Sequence, residues 1–234
     1  MSNFKKITND SHLDVFQGYL IQEARRTQPE GYPIIEGWMV EKNIPRYVCQ
    51  WDQRYSVKDP QHTAISFYCS DHTFMPVLRH PERYIENLRQ YQCVIGMDSS
   101  PFDNMPLVHQ NYQIYNNLRI TYFYGKQGIK IIPNVRVGNN STLKSLDAYP
   151  RNHLIAVGTN GFTHEKGNRI IFKEQMSYIV NELRPSGIIV YGPASEFVFE
   201  EAIRKQIPLY QYDSYMKIRS QEIAKIRKAV EDEE

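Results

Sequence analysis

From residue 64 onward, short runs of β-branched and aromatic residues alternate with helix-length periodic segments, and this rhythm restricts the fold more than any other feature of the chain. The runs are AISFYC (64–69), CVIGM (93–97), IKIIPNV (129–135), LIAVG (154–158), GIIVYG (187–192) and PLYQY (208–212). Between them, Pro81 to Tyr91 carries Pro at a first-turn position and apolar Tyr84, Ile85 and Leu88. Val108, Tyr112, Tyr115, Leu118 and Tyr122 follow helical spacings until Gly125 and Gly128 stop the helix, and Phe172, Met176, Ile179 and Leu183 repeat the pattern up to Pro185. Ser195 is placed to cap a further helix through Ile203. Strands separated by such segments are βα units, which build a mainly parallel sheet covered by helices.

Two α/β architectures use this rhythm: a TIM-barrel-like or incomplete barrel, and a doubly wound open sheet. The barrel is favoured, because two weaker β-like pieces, IIEGWMV (34–40) and RYVCQW (46–51), otherwise have no place. The chain accordingly divides into an N-terminal helix and irregular or β segment packed on the core (1–63), a βα-repeat core (64–213) and a C-terminal basic amphipathic helix (214–234). Leu13, Phe16, Leu20 and Ala24 mark the N-terminal helix, with Ser11 as its cap. In the C-terminal one Met216, Ile223, Ile226 and Val230 form an apolar stripe beside Lys217, Arg219, Lys225, Arg227 and Lys228. In both architectures ligands gather beyond the carboxyl ends of the strands, so those positions are the ones to inspect.

Composition removes several alternatives. With 234 residues, 41% of them hydrophobic and 23% charged, the chain is ordinary globular protein rather than a disordered or fibrous one. No apolar run approaches the roughly 20 residues of a membrane span, and MSNFKKITND lacks the apolar stretch of a secretory signal, so a cytoplasmic protein without a membrane partner is expected. Cys49, Cys69 and Cys93 form no CxxC pair, which speaks against a disulfide framework or a thiolate zinc site. The 28 basic and 26 acidic residues are too balanced for a dedicated DNA-coating protein. There is no GxxxxGK[ST] and no GxGxxG, so Walker-type ATP and NAD motifs are absent, and the seven histidines show no HxH or HExxH spacing.

At the strand ends, Asp71, Asp98 and Asp213 each follow a run, and carboxylates converging on one mouth suit a divalent metal or acid/base chemistry. Asp or Ser just before a helix is equally an N-cap, and Ser70-Asp71 and Asp98-Ser99-Ser100-Pro101 fit that role too. Asn134 and Arg136, two apart on a strand, share a face; the guanidinium suits a phosphate or carboxylate, or a neighbouring Asp. Thr159, Asn160, Tyr191 and Gly192 occupy loops where a ligand can approach the backbone, or where plain turn chemistry suffices. Cys69, beside Asp71 and His72, is read as a buried thiol rather than a nucleophile. The tyrosines at 112, 115 and 122 are read as core in preference to a base-stacking stripe.

From about Ile65 to Tyr215 the chain resembles a family of uncharacterised proteins common in phages, plasmids and bacterial genomes, catalogued only as a domain of unknown function. The likeness rests on Asp98 with Met105-Pro106 seven residues later, Gln110, the string GIKIIPNVR (128–136), AVGT (156–159) and IVYGP (189–193). Similar sequences carry Trp where this one has Val137, and Asn and Arg where it has Gln113 and Asn116. The resemblance implies a mobile-element setting, supplies no reaction, and marks Asp98 as the strongest of the three aspartates. The expectation is a phage-like protein that binds or acts on a phosphorylated ligand, a nucleotide or nucleic acid. Arg136 would hold the phosphate, Asn134, Thr159 and Asn160 would orient the ligand, and Asp98 would serve as acid/base or metal ligand. The alternative is a non-catalytic module that engages a host or phage macromolecule through its tyrosine-rich and basic surfaces. No oligomeric state is assigned.

Overall fold

The computed structural model describes residues 16–159 and 166–231. Seven strands are present among them: β1 (Tyr47–Gln50), β2 (Thr63–Ser66), β3 (Cys93–Ile95), β4 (Ile131–Ile132), β5 (Leu154–Gly158), β6 (Gly187–Tyr191) and β7 (Leu209–Tyr212). Every pairing is parallel, in a four-stranded sheet of order β1-β2-β3-β4 and a three-stranded sheet of order β5-β6-β7. Strand order follows chain order in both, without the reversal that marks a doubly wound sheet. A parallel bridge between Asn134 and Ala156 joins the two sheets, closed by Val135 N–H to the Ala156 carbonyl (2.9 Å) and Ala156 N–H to the Pro133 carbonyl (2.8 Å). At the far ends, the Tyr212 hydroxyl donates to the Pro45 carbonyl, just ahead of β1.

Five of the six runs read from the sequence contain a strand, AISFYC overlaps β2, which begins one residue earlier at Thr63, and the seventh strand lies within RYVCQW. β2 to β6 are buried throughout, because helices and turns cover both faces and continuous apolar runs can be accommodated only there. IIEGWMV instead turns as a 3-10 segment at Gly37–Met39. The His153 ring lies against Gly37 so closely that a Cβ there would stand 2.6 Å from Nε2, and only Val40 reaches the sheet, as a bridge to Ile131.

The helices are α1 (Asp71–Arg79), α2 (Ile85–Leu88), α3 (Leu107–Lys126), α4 (Lys166–Leu183), α5 (Glu200–Arg204) and α6 (Tyr215–Glu231). The helix expected over Pro81 to Tyr91 is a 3-10 turn, Pro81–Tyr84, running into the single turn of α2. Ser195 does accept from Val198 N–H (3.3 Å), but the helix proper begins only at Glu200. Of the expected N-terminal helix, residues 11–15 lie outside the described residues. The remainder is a 3-10 turn, Gly18–Ile21, preceded by Gln17 in a left-handed conformation (φ 53°) that interrupts α-helical geometry.

Leu20, Ile21, Tyr32, Ile35, Met39, Val40 and Trp51 bury their side chains in the same core as Ile65, Phe67, Phe74, Ile95 and Ile189. From Ile114 to Gly125 α3 is buried on nearly all sides apart from half-buried Tyr115, so its polar residues bond internally: Asn117 holds both Ser99 N–H and Ser99 carbonyl, and Arg119 donates to Asn116 and Gln17. Tyr122 is core, Tyr115 half-buried and Tyr112 exposed. Among the described residues no helix is long and apolar enough to cross a membrane.

Candidate functional site

The carboxyl ends of the parallel strands open into a cavity of about 410 Å³. Tyr68 and Cys69 reach it beyond β2, Asp98 and Ser100 to Asp103 beyond β3, Arg136 to Gly138 beyond β4, Gly158 at the end of β5 and Tyr191 at the end of β6. α4 closes one side with Asn168, Ile171 and Gln175, a face defined by helical spacing.

At its floor lies a charged pair. Arg136 Nε stands 3.2 Å from Asp98 Oδ1, and the two side chains are only 12% and 13% exposed. Asn134 fixes this carboxylate from behind: its Nδ2 donates to Asp98 Oδ1 (2.8 Å) and to the Met97 carbonyl (2.9 Å), while its Oδ1 accepts from the Tyr68 hydroxyl (2.9 Å). Asn134 can do this because the bridge to β5 holds its own backbone, whose carbonyl also accepts from the Tyr149 hydroxyl (3.2 Å). Burial lifts the Asp98 carboxyl above the usual aspartate range, against the opposing pull of Arg136 and Asn134, and the nearby Asp71 charge lifts it further.

Tyr68 stacks on Tyr191 with ring centres 4.8 Å apart and planes 14° from parallel. The Tyr191 hydroxyl in turn accepts from the Tyr215 backbone N–H at the start of α6 (2.8 Å). Gln110, fully buried on α3, clamps the rim: its Nε2 donates to the carbonyls of Asp103 (3.1 Å) and Met105 (2.7 Å), and its Oε1 accepts from Asn139 N–H (2.8 Å). Gly138 has no room for a side chain, since a Cβ would lie 2.1 Å from Gln110 Oε1. Cys69 lines the cavity as a thiol, pushed up to about 12 chiefly by burial, so it holds little thiolate at neutral pH.

Of the residues nominated from sequence, Asp98, Arg136 and Tyr191 meet in this cavity, with Asn134 immediately behind Asp98. Thr159 is buried and bonds through its N–H to the Tyr191 carbonyl (3.0 Å). Gly192, with φ 114°, donates to the Tyr212 carbonyl (2.9 Å); both serve the strand ends rather than the cavity wall. Asn160 lies outside the described residues. Asp71 does not cap its own helix but accepts from Ser100 N–H and Oγ (3.1 Å each), fastening the loop after β3. Asp213 does not line the cavity and pairs with Lys217 at 2.7 Å. Among the described residues no group of three or more His, Cys, Asp or Glu side chains is placed to hold a metal ion. Tyr68 is the principal residue that sequence reasoning missed; it follows a strand as Asp98 does, and the same rule of position would have found it. Asn168 and Gln175 carry no such signal, because which face of α4 meets the cavity is decided by packing.

A sequence profile of the family described as "Domain of unknown function (DUF4417)" matches residues 33–213. The "Gene 1 protein" of Mycobacterium phage L5 is 22% identical over 154 residues, a match covering 64% of this chain and 66% of that protein. The "Gene 1 protein" of Mycobacterium phage D29 is 21% identical over 130 residues, covering 55% of this chain and 48% of that protein. The chain therefore spans just under two thirds of the first relative's length and about half of the second's. No solved structure matches it.

Proposed function

Because the chain belongs to the DUF4417 family, and the matched stretch contains every residue lining the cavity, we propose that this cavity binds a phosphorylated ligand of the nucleotide class and that the mainly parallel sheet around it is an incomplete barrel. The observation that carries the reading is the convergence of Asp98, Arg136 and the Tyr68–Tyr191 stack at the carboxyl ends of parallel strands. The volume, about 410 Å³, falls in the range of small-molecule sites, roughly 300–1,000 Å³. In this reading the Arg136 guanidinium takes the phosphate and the aromatic wall the base. Asp98, lifted by burial toward neutrality, is the group suited to proton transfer. Asn134 is a positioning residue that aims Asp98. In-order strands, the join at Asn134 and the Tyr212 contact ahead of β1 support the incomplete barrel.

Thermal unfolding tests the ligand. A 5′-mononucleotide at a hundred times its dissociation constant is expected to stabilise the protein by about 2.7 kcal/mol. The matching nucleoside should stabilise it less, and Arg136→Lys, which keeps the charge beside Asp98 but loses the planar fork, should abolish the difference. Nucleotide and nucleoside acting alike on the wild type would overturn the reading.

A second reading, a module that docks on a macromolecule, draws on α6, where Met216, Ile218 and Ile223 are exposed beside Lys217, Arg219 and Lys225. Charge reversal at those three basic residues should then weaken partner capture while leaving nucleotide-induced stabilisation unchanged. Capture indifferent to the reversal would remove α6 as the contact.

A further inference from the structure

We infer that the cavity takes one unit of a single-stranded polynucleotide, and that Arg169, Lys173 and Phe197 hold the strand where it leaves the cavity; this rests on the nucleotide reading above. α4 turns Asn168, Ile171 and Gln175 into the cavity, and Arg169 and Lys173, four residues apart, share the neighbouring face. Both cations lie over one ring: Arg169 Cζ is 5.6 Å and Lys173 Nζ 4.5 Å from the centre of Phe197. Phe197 follows Tyr191 by six residues, so the cluster stands where two walls of the cavity, α4 and the segment after β6, come together.

The two cations differ in one respect. Lys173 pairs with Glu200, whereas Arg169, only partly exposed, has no carboxylate partner among the described residues, and its Nε is buried without a hydrogen bond. A half-buried guanidinium whose Nε–H meets no acceptor among the described residues is costly unless an anion completes it. A mononucleotide lodged at Arg136 leaves Arg169 as it is; the phosphate of the next unit in a strand satisfies it. The aromatic rims agree with this path, since Phe197 and, from the segment after β3, Phe102 are 43% and 57% exposed. Exposed rings beside a cationic track are how sequence-tolerant single-strand binders hold successive bases. Asp103, on the Phe102 side, repels phosphate and directs the strand along α4.

The test is fluorescence anisotropy with labelled single-stranded DNA and RNA of about ten nucleotides, within the site sizes of such binders, set against competition by the 5′-mononucleotide. The oligomer should bind about tenfold or more tightly than the mononucleotide. Arg169→Ala with Lys173→Ala should erase that advantage, lower the slope of log affinity against log salt by about 1 for each phosphate no longer neutralised, and leave mononucleotide binding unchanged. A preference between the DNA and RNA arms identifies the sugar. An oligomer that binds no more tightly than the mononucleotide, or a double variant that keeps the full advantage, overturns the inference while leaving the cavity reading intact. Binding of neither ligand overturns both.

Discussion

Arg136→Met should cost about 3–5 kcal/mol of folding stability, because it strands a carboxylate that is 13% exposed without its cation. The loss should depend on pH. Burial already holds the Asp98 carboxyl above the ordinary aspartate value, and removing Arg136 removes one of the influences that lower it. A carboxyl whose value is higher in the folded than in the unfolded state keeps its proton longer when folded, so stability falls as pH rises between the two values. The deficit of Arg136→Met should thus be smallest at the acid end, where Asp98 keeps its proton, and grow as pH rises above the unfolded aspartate value of about 3.9. Asp98→Asn combined with Arg136→Met should recover most of it, since no buried charge then remains. Urea unfolding across that range would decide. A deficit that ignores pH, or a double variant as weak as the single, would show that the pair is not the source.

Tyr191→Ala should be comparably severe, at about 3–5 kcal/mol for a buried aromatic truncated to a methyl. It removes half of the stack with Tyr68 and opens the cavity wall. Tyr191→Phe keeps the ring and loses only the acceptor for Tyr215 N–H, so it should cost about 1 kcal/mol. Its effect should appear locally, as faster hydrogen exchange at the first turn of α6 with the rest of the sheet unchanged. If the Phe variant were as damaging as the Ala variant, the stack would not be what holds the wall.

The strand runs were legible because a buried strand in a parallel sheet leaves little choice of residue: Ile155, Ile188, Ile189 and Val190 can be little else. The long helices were legible from period alone, α3 and α4 most clearly. What failed was local. IIEGWMV has strand composition, but it turns as a 3-10 segment at Gly37–Met39, where Gly37 lies against the ring of His153, more than a hundred residues away. Gln17 enters a left-handed conformation that no sequence period announces. In the site, Asp98 and Arg136 were nominated separately from their positions after strands, and their meeting needed only the adjacency of β3 and β4. Asn134, placed among ligand contacts by its two-residue spacing from Arg136, lies behind Asp98, with its backbone engaged in the bridge to Ala156.

That bridge has an implication for inheritance. Each sheet is built from one uninterrupted stretch of chain, 47–132 and 154–212, and the cavity is the seam between them. Asp98 and Arg136 come before the 3-10 segment Asn140–Ala148, while Gly158, Asn168, Ile171, Gln175 and Tyr191 come after it. A genetic crossover within that segment would exchange the second wall as a block and keep the ion pair, provided that the incoming stretch can rebuild the contact of Ala156 with Asn134, the stack of Tyr191 on Tyr68 and the bond of Tyr149 to the Asn134 carbonyl. The charged floor and the opposite wall of the cavity therefore lie on separate, exchangeable stretches of the chain.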